Sequence, residues 1–110
     1  IVGRAKDMVI SGGLNIYPKE IELVIDELPG VLESAVIGVA HEDFGEALVA
    51  VVVRSGEIEE TEIMIALKTR ISAFKVPKRV IFLEQLPRNT MSKVQKNLLR
   101  EQFADLLKLK

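Results

Sequence analysis

The residue best placed for chemistry is Lys93, because it follows a polar loop near the end of the chain. That loop spans residues 87–92 and begins with a proline, which stiffens the chain after an apolar segment. An ammonium group presented by such a loop can contact a phosphate or a carboxylate as a point charge. Most lysines are solvated surface groups, so position alone does not separate a catalytic lysine from an ordinary one.

Two further sites have residue types that can bind or catalyse. Gly12 and Gly13 let the backbone approach a ligand closely or adopt positive φ, although a hairpin turn also explains the pair. The spacing lacks the third glycine of a dinucleotide-binding motif. His41 stands beside Glu42 and Asp43, but no nucleophile is fixed near it, so we expect a surface loop histidine.

Composition restricts the chemistry available to these residues. The 110 residues include no cysteine and one histidine, so we expect no disulfide, no metal site and no Ser-His-Asp triad. Hydrophobic residues make up 48% and charged residues 28%, which is typical of a single globular domain. The longest apolar run, at 47–53, is too short for a membrane span. No apolar leader opens the sequence, and we expect a cytoplasmic location.

The net charge of −1 hides an asymmetry between the two halves of the chain. Residues 1–55 contain nine acidic and four basic side chains, whereas residues 56–110 contain seven acidic and eleven basic ones. A positive second half suits an anionic ligand or an acidic partner surface. Solvated lysines and arginines on helix faces explain it equally well, so charge alone decides nothing.

The hydrophobic pattern predicts an α+β domain with the order β-α-β-β-α-β-α. A short hairpin around the glycine pair precedes a helix that begins near Pro18, and apolar runs at 35–40 and 47–53 predict an antiparallel strand pair. A second helix with Thr61 as its N-cap, a strand at 80–83 and a third helix follow. This predicts a small antiparallel or mixed sheet packed with about three helices. The buried helix positions are expected to be Ile21, Val24, Ile25 and Leu28, then Ile63, Leu67, Ile71 and Phe74, then Leu99, Phe103, Leu106 and Leu107.

The same element order also fits a ferredoxin-like module that binds RNA or small ligands. An RNA-binding sheet needs exposed aromatic side chains, and the strands at 35–40 and 47–53 contain none. We therefore expect no nucleic-acid partner. A stand-alone regulatory or protein-interaction domain stays open as an alternative on the residues alone.

Three segments of the chain resemble the C-terminal domain of AMP-forming acyl-CoA synthetases, in the adenylate-forming superfamily. They are GRAKDMVISGGLNIYPKEIE at 3–22, GVLESAVIGVAHEDFGEALVAVVV at 30–53 and FKVPKRVIFLEQLPRNTMSKVQKNLLRE at 74–101. The sequence of the last segment is most similar to that of malonyl-CoA synthetases. The resemblance implies that residues 1–110 form the mobile lid domain, which starts at the hinge and lacks the large N-terminal domain. Such a domain is expected to be inactive by itself.

The resemblance implies a role for individual residues. Lys93 corresponds to the catalytic lysine that bridges the substrate carboxylate and the α-phosphate of ATP during acyl-adenylate formation. The other implied roles are nucleotide contact for Arg4 and Asn15, the hinge for Lys6, and the wall of the CoA tunnel for Gly12 and Gly13. Ile10 and Gly12 stand where luciferase-like members have lysines, so we do not expect a lysine to assist thioester formation.

The resemblance also implies substrates and partners. The full-length enzyme would use ATP with Mg²⁺ and CoA as substrates, while this domain alone binds no cofactor. Its partners would be its own N-terminal adenylation domain and a protein lysine acetyltransferase that modifies Lys93. Relatives usually have glycine before that lysine, where this chain has Ser92. If the position requires positive φ, Ser92 carries about 1 kcal/mol or more of strain and alters recognition by the acetyltransferase.

Overall fold

The computed structural model describes residues 8–41 and 45–106, and within them five strands and three helices follow the predicted order. Arg4 and Lys6 lie outside the described residues, as do Glu42, Asp43 and Leu107. The elements are β1 (Val9–Ser11), β2 (Leu14–Ile16), α1 (Pro18–Asp26), β3 (Val31–His41), β4 (Gly45–Arg54), α2 (Glu60–Arg70), a 3-10 turn (Ala73–Lys75), β5 (Arg79–Phe82) and α3 (Lys96–Gln102).

Strand β4 is the centre of a mixed sheet. It runs antiparallel to β3 along one edge and parallel to β5 along the other. The β1–β2 hairpin pairs with the same edge of β4 as β5 does, where Ser11 pairs with Gly45. Residues 47–53 are all buried because helices cover both faces of the sheet, which explains why this apolar run is continuous rather than alternating. The α+β prediction is confirmed, including the antiparallel strand pair.

Two hydrophobic clusters form, one on each face of the sheet. Ile21 and Ile25 of α1 pack with Ile63 and Leu67 of α2 on the first face. On the second face, Leu99 of α3 packs with Leu86 and with the β3 and β4 side chains Ala35, Ile37, Val39, Val49, Val51 and Val53. The segment that leads to Lys93 therefore rests on a different core from the one beneath α1 and α2.

Glu22 connects α1, β3 and α3 at the edge of β3 that does not pair with β4. This side chain of α1 is about 12% exposed, and its Oε2 accepts the N–H of Val36 at 2.8 Å. The same oxygen lies 2.6 Å from the Nζ of Lys96, at the start of α3. A buried carboxylate needs such donors, since leaving it unpaired would cost several kcal/mol (about 3–5). The start of α3 is thus fixed relative to α1 and β3.

Two details of α2 and the strand boundaries differ from the prediction. The N-cap is Glu59 rather than Thr61, because the Glu62 side chain accepts the Glu59 N–H at 3.0 Å in a capping box. The prediction that Phe74 lies on the buried face of this helix is wrong. The helix ends at Arg70, and Phe74 lies in the following 3-10 turn with 45% of its surface exposed. Strands β3 and β4 are longer than predicted because pairing continues as far as His41 and Gly45.

Candidate functional site

The loop before Lys93 is a tight β-hairpin. The Asn89 N–H donates to the Lys93 carbonyl at 3.0 Å, and the Ser92 N–H donates to the Asn89 carbonyl at 3.0 Å. Beyond this turn, the two stems pair through the Gln95 N–H on the Pro87 carbonyl at 2.8 Å and through a bridge between Arg88 and Val94. Lys93 therefore occupies a fixed position in the second stem, directly after the turn.

Ser92 has φ of +64°, and within residues 8–41 and 45–106 no other non-glycine residue has positive φ. A turn closed by a left-handed residue is a G1-bulge hairpin, in which glycine usually fills that position. A non-glycine residue pays about 1–2 kcal/mol for the left-handed conformation. Position 92 adopts positive φ, so the condition under which Ser92 carries strain is met.

Side chains hold the strained turn from two directions. Inside it, the Asn89 Oδ1 accepts the N–H groups of Met91 at 2.9 Å and Lys93 at 3.0 Å. Outside it, the Arg88 Nη1 donates to the Ser92 carbonyl at 2.6 Å, and the Arg88 Nη2 forms an ion pair with Glu33 on β3. The backbone at Lys93 is thereby tied to the sheet through Arg88.

The side chain of Lys93 lies at the surface of the domain, directly after the turn. The residue is exposed, and its side chain makes no ion pair with any residue in the described part of the chain. Its neighbour Val94 packs against the second hydrophobic cluster, and α3 starts at Lys96. An exposed cation on a fixed base can contact a phosphate or carboxylate at small entropic cost.

The glycine pair forms a second hairpin, between β1 and β2. Gly12 has φ of +57° and Gly13 has φ of +84°, which are the values of a type I′ turn. A Cβ built at Gly13 meets no atom within 4 Å, so the backbone conformation rather than space requires glycine there. Asn15 lies on β2 opposite Ile10, and its side chain is exposed. The predicted hairpin is confirmed.

A cavity of about 200 Å³ lies beside this hairpin. Ser11, Gly12 and Leu14 form one wall, and the segment after α2 contributes Phe74 and Lys78 to the other. The cavity combines an apolar surface with a cationic side chain at its edge. Sequence reasoning missed Phe74 and Lys78 because the apolar spacing assigned Phe74 to the helix and nothing marked a 3-10 turn at 73–75.

The structure does not bring all the predicted site residues together. Gly12, Gly13 and Asn15 share one hairpin, which meets the sheet at Gly45, opposite His41. The hairpin that carries Lys93 is held at Glu33, near the other end of β3. Glu33 and His41 are eight positions apart on β3, which corresponds to about 27 Å at the usual rise of about 3.4 Å per residue. The domain therefore carries two separate candidate sites at opposite ends of its longest strand.

His41 is the last residue of β3, and its sequence neighbours Glu42 and Asp43 lie outside the described residues. In the described part of the chain, no cluster of three or more histidine, aspartate or glutamate side chains could hold a metal ion. His41 ends β3 and pairs with Gly45, which is the position of a strand-end residue. Among the described helices, none is long and apolar enough to cross a membrane.

The chain is similar to known proteins over most of its length. A family model described as the AMP-binding enzyme C-terminal domain matches residues 20–93. The long-chain-fatty-acid–CoA ligase FadD13 of Mycobacterium tuberculosis is 50% identical over 105 residues, which cover 94% of this chain and 21% of the ligase. A 2-succinylbenzoate–CoA ligase of Bacillus mycoides is 43% identical over 101 residues, with 92% and 21% covered.

Solved structures agree with this result. The crystal structure of apo MatB from Rhodopseudomonas palustris matches with a TM-score of 0.93 and 58% identity, over 98% of this chain and 22% of that one. The ATP-bound MatB structure matches over the same shares with a TM-score of 0.92 and 57% identity. The chain thus spans about a fifth of the length of the relatives that it matches.

Proposed function

The chain belongs to the AMP-binding enzyme C-terminal domain family, and from this membership we propose that residues 1–110 are the mobile C-terminal domain of an AMP-forming acyl-CoA ligase. The whole enzyme would activate a carboxylic acid with ATP to an acyl-adenylate and then form the CoA thioester. This domain would supply Lys93 for the first step and the glycine hairpin for the second. The alternative of a stand-alone regulatory module is not favoured by the relatives, which are ligases over the matched length.

The observation that carries the proposal is the separation of the two candidate sites. Lys93 and Gly12 are held at opposite ends of β3, so one active site cannot use both in a single orientation of this domain. A domain that rotates between two half-reactions would present each end in turn. Such a rotation needs a hinge, and Lys6 is the proposed hinge residue.

In the adenylation orientation, Lys93 would bridge the substrate carboxylate and the α-phosphate. Negative charge grows on those oxygens in the transition state, and a positioned ammonium stabilises it more strongly there than in the ground state. Arg4 and Asn15 are proposed to contact the nucleotide. An ATP-bound relative of this fold supports ATP as the nucleotide, and Mg²⁺ is proposed to accompany it as part of that substrate.

In the thioester-forming orientation, Gly12 and Gly13 would line the path of the CoA thiol arm. Support comes from the cavity of about 200 Å³ that Gly12 helps to enclose, since a glycine wall leaves room for a thin ligand. A side chain at position 12 would narrow that cavity.

Other parts of the proposal concern partners and location. The main partner is the upstream adenylation domain of the same enzyme, and the location is cytoplasmic, where ATP and CoA are both present. Lys93 is exposed on a narrow hairpin and is a proposed target of a lysine acetyltransferase, which would remove its charge. Relatives that match this domain at 43–50% identity are named for different acids, so the acid, malonate or another, is decided by the upstream domain.

The proposal is tested by changing Lys93 to alanine in a chain that includes the upstream adenylation domain. Pyrophosphate exchange dependent on the acid should fall about 10²–10³-fold, the usual loss for one transition-state contact to a developing charge. Thioester formation from supplied acyl-adenylate should be retained, because Lys93 would be turned away in that step.

The matched control is Lys68→Ala, which removes an exposed lysine on α2. It should leave both half-reactions unchanged. Equal activity of the Lys93→Ala and Lys68→Ala enzymes would contradict the proposal. The 110-residue chain alone should form no thioester, and thioester formation by it would show that the upstream domain is unnecessary.

A further inference from the structure

We propose that Arg88 is a positioning residue for Lys93, because it holds the strained Ser92 in the left-handed conformation that aims the lysine. The inference rests on the proposed function for its catalytic consequence, but its structural part concerns only the described residues. Arg88 makes two contacts within the domain. It acts through the Ser92 carbonyl on one side and through Glu33 on the other.

The contacts of Arg88 span two elements that are distant in sequence. Its Nη1 lies 2.6 Å from the Ser92 carbonyl oxygen, four residues further along the same hairpin. Its Nη2 pairs with Glu33 on β3, 55 residues away. The side chains of Arg88 and Glu33 are about 39% and 28% exposed, so this pair is only partly screened by water. One guanidinium group therefore anchors the turn to the sheet.

This anchor acts on the peptide bond that decides where Lys93 points. The Ser92 carbonyl belongs to the peptide that joins Ser92 to Lys93. If Ser92 left the left-handed region for its preferred extended or helical conformation, that peptide would rotate and the Arg88 contact would break. The Lys93 N–H would also leave the Asn89 Oδ1. Arg88 and Asn89 thus both oppose the relaxation of Ser92.

A glycine at position 92 would have little need of this anchor, because glycine adopts positive φ without a steric penalty. The presence of a serine makes the Arg88 contact matter for the position of Lys93. The need for Arg88 should therefore depend on the residue at position 92, and this dependence separates a positioning role from a general contribution to stability.

The structural part is tested by NMR on the 110-residue chain. In Arg88→Met, the scalar couplings and chemical shifts of Ser92 should show loss of the left-handed φ, and the amides of Met91 and Lys93 should exchange about tenfold faster. Arg88→Lys, which keeps the charge without the fork of donors, should show an intermediate result. An unchanged φ at Ser92 in Arg88→Met would overturn the inference.

The catalytic part is tested in the enzyme that includes the upstream domain. Arg88→Met should lower kcat for adenylation about tenfold, equivalent to about 1.4 kcal/mol, with KM for ATP and thioester formation from supplied acyl-adenylate unchanged. Ser92→Gly added to Arg88→Met should restore most of that loss. Failure of the glycine to restore activity, or an equal loss in both half-reactions, would overturn the positioning role.

Two controls separate this inference from the proposed function. Arg70→Met removes an exposed arginine that pairs with Glu27 at 3.3 Å on the α1–α2 side, and it should leave adenylation unchanged. Lys93→Ala tests the proposed function directly. If adenylation survives Lys93→Ala, the proposed function is wrong; if adenylation needs Lys93 but tolerates Arg88→Met, only the inference is wrong.

Discussion

The two hairpins of this domain reach positive φ in different ways. The hairpin at Gly12 and Gly13 uses two glycines, for which positive φ has no steric penalty. The hairpin before Lys93 places a serine in the left-handed region and surrounds it with contacts from Asn89 and Arg88. The first turn is therefore self-sufficient, whereas the second depends on β3 and on the core beneath it.

This difference suits the two proposed tasks. A turn without side chains leaves open space beside it, which a cavity for a thin ligand requires. A turn held by side chains fixes the backbone at a long, flexible lysine. A side chain that stabilises developing charge has to be positioned in this way. Changes that remove support on one side should therefore leave the other hairpin intact.

The largest effect on the Lys93 side should come from Leu99→Ala. Leu99 is fully buried in the cluster beneath the Lys93 hairpin, and a buried leucine replaced by alanine costs about 2–5 kcal/mol. Urea unfolding should show this loss. Amide exchange should show that Lys93 loses protection while Leu14 does not.

Leu98→Ala is the matched control, because Leu98 is the sequence neighbour of Leu99 and its own side chain is 46% exposed. Its free energy of unfolding should change by less than about 0.5 kcal/mol. Equal destabilisation by the two variants would show that α3 does not support the hairpin through Leu99.

The opposite side should be disturbed by Gly38→Ala. A Cβ at Gly38 would lie 2.9 Å from Cγ2 and 3.0 Å from Cγ1 of Val9, which is buried on β1. Overpacking of this kind costs about 1–3 kcal/mol. We expect the β1–β2 hairpin to shift and its amides to exchange faster, with the Lys93 hairpin unchanged.

The second variant is Val9→Ala in the Gly38→Ala background, which removes the clashing methyl groups. It should cost less than the sum of the two single changes, as measured by a double-mutant cycle of urea unfolding. Strict additivity would mean that β1 does not rest on Gly38.

The sequence allowed the order of elements to be predicted because each has a strong local signal. Pro18 marks the start of α1, and the continuous apolar run at 47–53 marks a strand buried on both faces. The contacts that fix the Lys93 hairpin to the sheet could not be predicted, because Glu33 and Arg88 are 55 residues apart and only the fold brings them together. Phe74 was misplaced for a related reason, because helical spacing continues past Arg70 although the helix does not.

The family resemblance supplied the residue roles that local patterns could not. From the local sequence, Lys93 cannot be distinguished from an ordinary surface lysine. Its exposed position in the structure fits a catalytic lysine and an ordinary surface lysine equally well. What the structure adds is the positive φ of Ser92, a conformation that glycine adopts without a steric penalty.

A smaller effect, with opposite signs at the two turns, should come from exchanging glycine and a side chain. Gly13→Ala should destabilise the domain by about 1 kcal/mol, because φ of +84° disfavours a Cβ although space is available. Ser92→Gly should stabilise it by up to about 1 kcal/mol, since the strain is removed at the cost of extra unfolded-state entropy. Urea unfolding measures both.

Gly56→Ala is the control for the first change, because a Cβ there meets only an ordinary contact of 3.5 Å and no positive φ is involved. It should be close to neutral. A stabilising Gly13→Ala or a destabilising Ser92→Gly would reverse the comparison between the two turns.

The smallest effect concerns the pH dependence of stability at Glu60, which contacts the start of β5. The N–H of Val80, which donates to Glu60 Oε2 at 2.8 Å, lowers the pKa of this carboxyl; partial burial opposes the shift, and Arg79 at 3.1 Å adds to it. A lowered pKa in the folded state adds stability above the ordinary glutamate pKa, and this stability is lost as the pH falls through the folded value. Glu60→Gln should therefore flatten the acid limb of stability between about pH 5 and pH 3, compared with the unsubstituted protein. Urea midpoints at the two pH values measure the difference, and amide exchange should place it at β5 rather than at the Lys93 hairpin. Identical slopes for Glu60→Gln and the unsubstituted protein would mean that the Val80 contact does not stabilise the fold through Glu60.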